Sequence, residues 1–132
     1  MQRNKQTFLL VDGQEKVIKN RMLNWAKQFS ILIFLDSNNY KSLEGNYECL
    51  LGAGNHENIN SEDEDILTKV QQHYEANKDW VFGHIGYDYK NQLEPKLSSN
   101  HTEKIGFPLF HFYVPETVCY INKQNTLSLI HI

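Results

Sequence analysis

Apolar and polar positions along the chain switch between a helical period and a strand period, and turn-forming residues mark the changes. Phe8 to Val11 is a short apolar run closed by Asp12-Gly13, which predicts a first strand and a turn. Met22, Trp25, Ala26 and Phe29 recur at helical spacing, so a short helix with one buried face is expected over Arg21 to Gln28. Ile31-Leu32-Ile33-Phe34-Leu35, rich in β-branched and aromatic residues, reads as a buried strand ended by Asp36-Ser37-Asn38-Asn39. Tyr47 to Ala53 is a further strand, running into Gly52-Ala53-Gly54.

The clearest local signal follows. Ser61 is placed to cap a helix, acids fill its first turn, and Glu64 stands where a capping box needs it. Ile66, Leu67, Val70 and Tyr74 then lie along one face, and Lys78-Asp79 closes the helix. Trp80 to Tyr87 reads as a strand whose glycines, Gly83 and Gly86, imply a backbone approached closely by something else. Asp88 is placed to cap a helical turn through Leu93, stopped by Pro95, and Leu97 to Gly106 reads as a polar surface loop. Leu109 to Val114 and Glu116 to Ile121 are strands bent at Pro115, and Asn122 to Asn125 forms a hairpin turn into a last strand. Strands outnumber helices without regular βαβ alternation. The fold class is α+β, mostly antiparallel sheet with a few flanking helices.

At 132 residues the chain suits one domain better than two. Its net charge of −3 supplies no field for nucleic acid or an anionic membrane, so neither is expected as a partner. The longest apolar run is far too short to cross a bilayer, and Met1 to Thr7 lacks the pattern of a signal peptide. A reducing cytoplasm is the expected setting, with Cys49 and Cys119 as free thiols and the Asn100-His101-Thr102 sequon fortuitous.

Candidate chemistry is sparse. The histidines at 56, 73, 84, 101, 111 and 131 include no helical i, i+4 pair and no cysteine neighbour at zinc spacing, so no metal site is expected. His84 and His111 are expected on strands as partly buried, hydrogen-bonded residues. Gly52-Ala53-Gly54 opens like a dinucleotide fingerprint, but Glu57 occupies the place of the third glycine. Neither cysteine has a basic neighbour to activate it. No catalytic residue emerges from spacing.

Longer stretches do carry a likeness. Asp79-Trp80-Val81-Phe82-Gly83-His84-Ile85-Gly86-Tyr87-Asp88-Tyr89-Lys90-Asn91-Gln92-Leu93-Glu94 resembles the W-x-FG-x-x-x-YD-x-KN-x-x-E stretch of the chorismate-utilising synthase component I family. Ile105 to Glu116, with Gly106-Phe107-Pro108, resembles its GFP-x-x-x-F-x-P continuation. Leu35 to Asn38 and Tyr47 to Gly54 are similar to para-aminobenzoate-type members, so the likeness spans roughly residues 20 to 122. The resemblance implies a partial copy of the family's α/β/β/α fold. It implies an N-terminal piece of aminodeoxychorismate synthase component I, which aminates chorismate for para-aminobenzoate and folate, or alternatively of anthranilate synthase component I. A stand-alone ligand-binding or regulatory module on this half-domain is the other alternative. In the family the chorismate pocket, the acid/base residues and the Mg²⁺ ligands lie in a C-terminal half, and a glutamine amidotransferase partner supplies ammonia. That half is expected to follow this sequence, so no catalytic residue, metal ligand or cofactor is carried over to it. The missing half is then an expected partner, and self-association through an exposed sheet face is expected in its absence.

One ligand feature belongs to the family's N-terminal half: a leucine-leucine-glutamate-serine segment that helps hold tryptophan in anthranilate synthases. The resemblance sets Cys49-Leu50-Leu51-Gly52-Ala53 against it, which makes Leu50, Leu51, Gly52 and Ala53 the candidate ligand residues. The acid and the serine are missing there, so no detectable tryptophan binding is expected.

The domain is expected over residues 1–126. Leu127-Ser128-Leu129-Ile130-His131-Ile132 resembles the conceptual translation of a transposase mosaic-end adapter, which makes 127–132 a non-native tail. The alternative is a native strand, since its apolar residues alternate in part.

Overall fold

A computed structural model describes residues 2–41, 45–60, 65–94 and 108–132. The Ser61/Glu64 capping box, the Pro95 stop, the loop expected over 97–106 and the Asn100 sequon lie outside the described residues. The chain builds two compact units: residues 1–56 with 115–132, and residues 57–114 between them in sequence. All strand pairs are antiparallel, and the class is α+β with mostly sheet. No helix among the described residues is long and apolar enough to cross a membrane.

The first unit is a five-stranded sheet with one long helix. Its strands are β1 (Asn4–Leu9), β2 (Leu32–Asp36), β3 (Tyr47–Ala53), β7 (Thr117–Asn122) and β8 (Thr126–His131), and its helix is α1 (Glu15–Ala26). The order across the sheet is β1-β8-β7-β3-β2. Register puts Cys49 opposite Ile121, Leu51 opposite Cys119, and Cys119 opposite Leu129, so these side chains share one face. Met22 and Ala26 of α1 pack against that face, with Ile18, Phe29, Leu32 and Phe34 around them. Each fully buried aliphatic side chain of this kind stabilises by roughly 1.5–3 kcal/mol.

Several boundaries differ from the expectations. Strand β1 begins at Asn4 rather than Phe8, because its ladder with β8 accepts polar residues at every step. The helix begins at Glu15 rather than Arg21, and Trp25, expected in its buried face, is 40% exposed and packs edge-on against Phe29. The run at 31–35 forms an edge strand, not a buried one: Leu35 is 54% exposed, since an edge strand offers the core only one face.

The described residues of the second unit form a three-stranded sheet with one long helix and a short helical segment. Its strands are β4 (Glu57–Ile59), β5 (Phe82–Ile85) and β6 (Phe110–Val114), ordered β4-β6-β5, and its helix is α2 (Ile66–Asn77). Ile66 and Val70 of α2 meet Ile59, Phe110, Phe112 and Tyr89. Leu67 and Tyr74, expected on the same buried face, are largely exposed. Lys78 ends α2 in the left-handed conformation, φ 50°, with its N–H donating to the Tyr74 carbonyl. A 3-10 turn (Tyr87–Tyr89) continues into a short helix, α3 (Lys90–Leu93). Gly86, not Asp88, stands at its N-terminal boundary, and Asp88 lies within the turn 3.6 Å from Lys90 Nζ.

Gly83 is the tightest position in this unit. A Cβ there would lie 2.5 Å from the His111 carbonyl oxygen and collide with the Phe112 ring. Gly83 and Phe112 are direct cross-strand partners, so the ring lies over the space a side chain would fill. This answers the expectation of a close backbone approach. At the other end of β6, Pro115 is buried and begins the last segment of the first unit.

Strand β8 lies between β1 and β7 and, among the described residues, is the only hydrogen-bonded neighbour of β1 in the sheet. Its place there holds whatever the origin of its codons. Truncation after Thr126 is therefore expected to strip β1 of its ladder and to remove buried Ile130 and Ser128. Losing several such side chains approaches the whole stability of a small domain, about 5–15 kcal/mol. Circular dichroism on heating checks this; a cooperative melt at an unchanged temperature would refute it. Gly83→Ala is expected to cost about 1–3 kcal/mol or more through overpacking. Urea midpoints of the two proteins measure that loss.

Candidate functional site

The most developed polar constellation in the structure surrounds Glu48, and a backbone irregularity creates it. Between Tyr47 and Cys49 the register with β7 slips: Tyr47 faces Asn122 and Cys49 faces Ile121, leaving Glu48 as the extra residue of a β-bulge. Bulges re-aim side chains. Here Glu48 and Cys49 both serve the side of the sheet that α1 covers, where plain alternation would have separated them.

Glu48 is 6% exposed, and donors surround its carboxylate. Lys19 Nζ of α1 donates to Oε1 at 2.8 Å, and the Asn39 backbone N–H donates to the same oxygen at 2.9 Å. Ser37 Oγ donates to Oε2 at 2.8 Å, and Lys123 Nζ of the β7–β8 turn donates to it at 2.9 Å. Lys19 also reaches Asp36 Oδ1 at 2.8 Å. Burial pushes the Glu48 carboxyl up, but hydrogen bonds from Lys19, Lys123, Ser37 and Asn39 outweigh it and hold its pKa at about 2. Burial lowers Lys19, and its bonds to Asp36 and Glu48 more than compensate, leaving it raised. Lys19 is held charged, and Asp36 and Glu48 are held ionised.

Beside this network lies an open depression of about 460 Å³, lined in part by Glu15, Lys16, Lys19, Asn20, Asp36 and Asn39. Charges of both signs on its wall suit a small zwitterion or polar ligand better than an apolar one. Two of its residues, Asn38 and Asn39, hold positive φ of 51° and 61°, as asparagine tolerates more readily than most residues. Their backbone N–H groups close the turn after β2, Asn38 onto Asp36 Oδ1 and Asn39 onto the Glu48 carboxylate.

The four ligand candidates read from the sequence all lie on β3. Leu51 and Ala53 are fully buried against α1, while Leu50 and Gly52 point to the opposite face. The acid and hydroxyl missing from 49–53 are supplied next door, because Asp36 is the cross-strand partner of Cys49 and Ser37 follows it. Both groups are already engaged, Asp36 by Lys19 and Ser37 by Glu48. Sequence reading missed Glu48 altogether; the only trace was an acid inside an otherwise apolar strand.

The two thiols are free and buried on one sheet face, and burial pushes each up to about 11, so neither is a nucleophile at neutral pH. Elsewhere, Tyr120 is held below its usual range by hydrogen bonds to Lys5 and Ser128. Among the described residues no three or more His, Cys, Asp or Glu side chains converge as a metal site. Comparison with family models, curated proteins and solved structures gives no match to this chain.

Glu48→Gln removes the charge, takes from Lys123 its carboxylate partner and leaves Lys19 with Asp36 alone. Breaking a buried pair in this way is expected to cost about 3–5 kcal/mol, read from denaturant midpoints. Because the folded pKa of Glu48 is depressed, its contribution is fully present above the ordinary carboxylate range and is lost as pH falls toward about 2. The wild-type protein should therefore lose stability between pH 5 and 2 more steeply than Glu48→Gln does. Parallel acid melts of the two proteins check this, and equal slopes would refute it.

Proposed function

We propose that this chain is the N-terminal region of a chorismate-utilising synthase component I of the aminodeoxychorismate type, without activity of its own. The observation that carries this reading is the pairing of β5 with β6. Two of the stretches that resemble the family, residues 79–94 and 105–116, meet as hydrogen-bonded neighbours with Phe82 opposite Tyr113 and Gly83 opposite Phe112. The Phe-Gly of one stretch thus has a steric reason, the aromatic ring of the other. An accidental likeness would not require its separate pieces to fit one another.

On this reading, amination of chorismate, its Mg²⁺ and its acid/base groups belong to a following C-terminal half. The glutamine amidotransferase partner serves that complete protein. A stand-alone ligand-binding module is the second reading, favoured by the charged depression beside Lys19 and Asp36.

The gene is the deciding test. A chorismate-binding region downstream of about Thr126, and rescue of a para-aminobenzoate auxotroph by the full-length product, are expected. Rescue of a tryptophan auxotroph instead would assign the anthranilate product, and a native stop codon with a monomeric, ligand-binding chain would favour the module. Calorimetry of the 132-residue protein with tryptophan is expected to show no saturable site, because Asp36 and Ser37 are already bonded within the protein.

A further inference from the structure

The register of β5 on β6 has a second outcome: it places His84 directly opposite His111. Their ring centres are 6.1 Å apart with the planes inclined by 42°. Two imidazoles sharing one ion through metal–nitrogen bonds of ~2.0–2.1 Å hold their ring centres roughly 5 to 6.4 Å apart, from a tetrahedral to a linear angle. The observed pair already falls inside that range. We propose that His84 and His111 form a two-histidine site for a borderline divalent transition ion such as Ni²⁺, Cu²⁺ or Zn²⁺, with water completing its coordination.

Three features hold the pair in place. Gly83 beneath the Phe112 ring and the His111 carbonyl fixes the register, since slippage would change which residue faces His111. His111 stacks on Tyr113 at 5.5 Å and 24°, and Tyr113 is fully buried. Phe82, also buried, packs 6.4 Å from Tyr113, so a buried aromatic pair stands next to the histidine pair on the same face of the sheet. Ligands held in this way give up little freedom on binding an ion. Each ring needs only one nitrogen for the metal, which leaves the other free to orient the ring through a hydrogen bond, the usual arrangement for ligating histidines. Imidazole pairs select nickel, copper and zinc over magnesium and calcium, which prefer oxygen. This site is therefore distinct from any Mg²⁺ chemistry under the proposed function and does not depend on that reading.

Titration of the full chain with Ni²⁺, followed by NMR of the histidine ring protons, tests the proposal. Paramagnetic broadening should reach the signals of His84 and His111 at lower ion concentration than those of the other four histidines. His84→Gln or His111→Gln should each weaken Zn²⁺ binding by at least ~10-fold, the lower end of the loss seen even for groups that only support a ligand. Mg²⁺ should produce no response. Broadening that spreads evenly over all the histidines, or begins at His56 or His131, would overturn the site, as would either variant binding like the wild type. If a variant fails to fold by circular dichroism, the order of broadening in the wild-type protein still decides.

Discussion

A buried carboxylate is the constraint around which the first unit is arranged. Leaving Glu48 ionised and unpaired out of water would cost several kcal/mol, so its environment must supply donors from every side. They come from three separate places: Lys19 from α1, Ser37 and Asn39 from the turn after β2, and Lys123 from the β7–β8 turn. Two lysines face two carboxylates, Glu48 and Asp36, and the charges balance locally. None of these segments can shift without leaving a charge uncovered. Hydrophobic contact between α1 and β3 is non-directional, and the polar network fixes how far along the sheet the helix sits.

The strands that were legible in the sequence are those whose side chains meet a core. Tyr47–Ala53 reads correctly to the residue because it is apolar apart from Glu48, and the break at Pro115 reads correctly because proline cannot extend a ladder. The elements misjudged are those determined from outside themselves. Nothing in Asn4 to Thr7 marks a strand; the partner β8 makes it one. Glu15 to Asn20 shows too few apolar residues to announce a helix, yet Ile18 and Lys19 each have a fixed partner, one in the core and one at Glu48. Leu32 to Leu35 has the composition of a central strand and the position of an edge.

The polar sites were harder still, for a related reason. In a strict period-two reading Glu48 is an outward-facing residue, and only the bulge turns it toward Lys19. A bulge leaves no dependable mark on composition. His84 and His111 likewise look isolated in the sequence, because their meeting depends on a register that neither histidine sets. Sequence shows which side chains exist, and cross-strand register decides which of them meet.

Gly83 shows how a recognisable stretch of sequence and a chemical site come apart. The glycine is required by a ring on the neighbouring strand and touches nothing that could react. Its presence beside Phe82 therefore speaks for an architecture. The same steric demand that makes Phe-Gly legible holds His84 against His111, and those two side chains have ligand chemistry of their own. Such a stretch speaks more directly for the way the second unit is built than for any reaction. What a chain of this kind can do has to be read from the groups its register brings together.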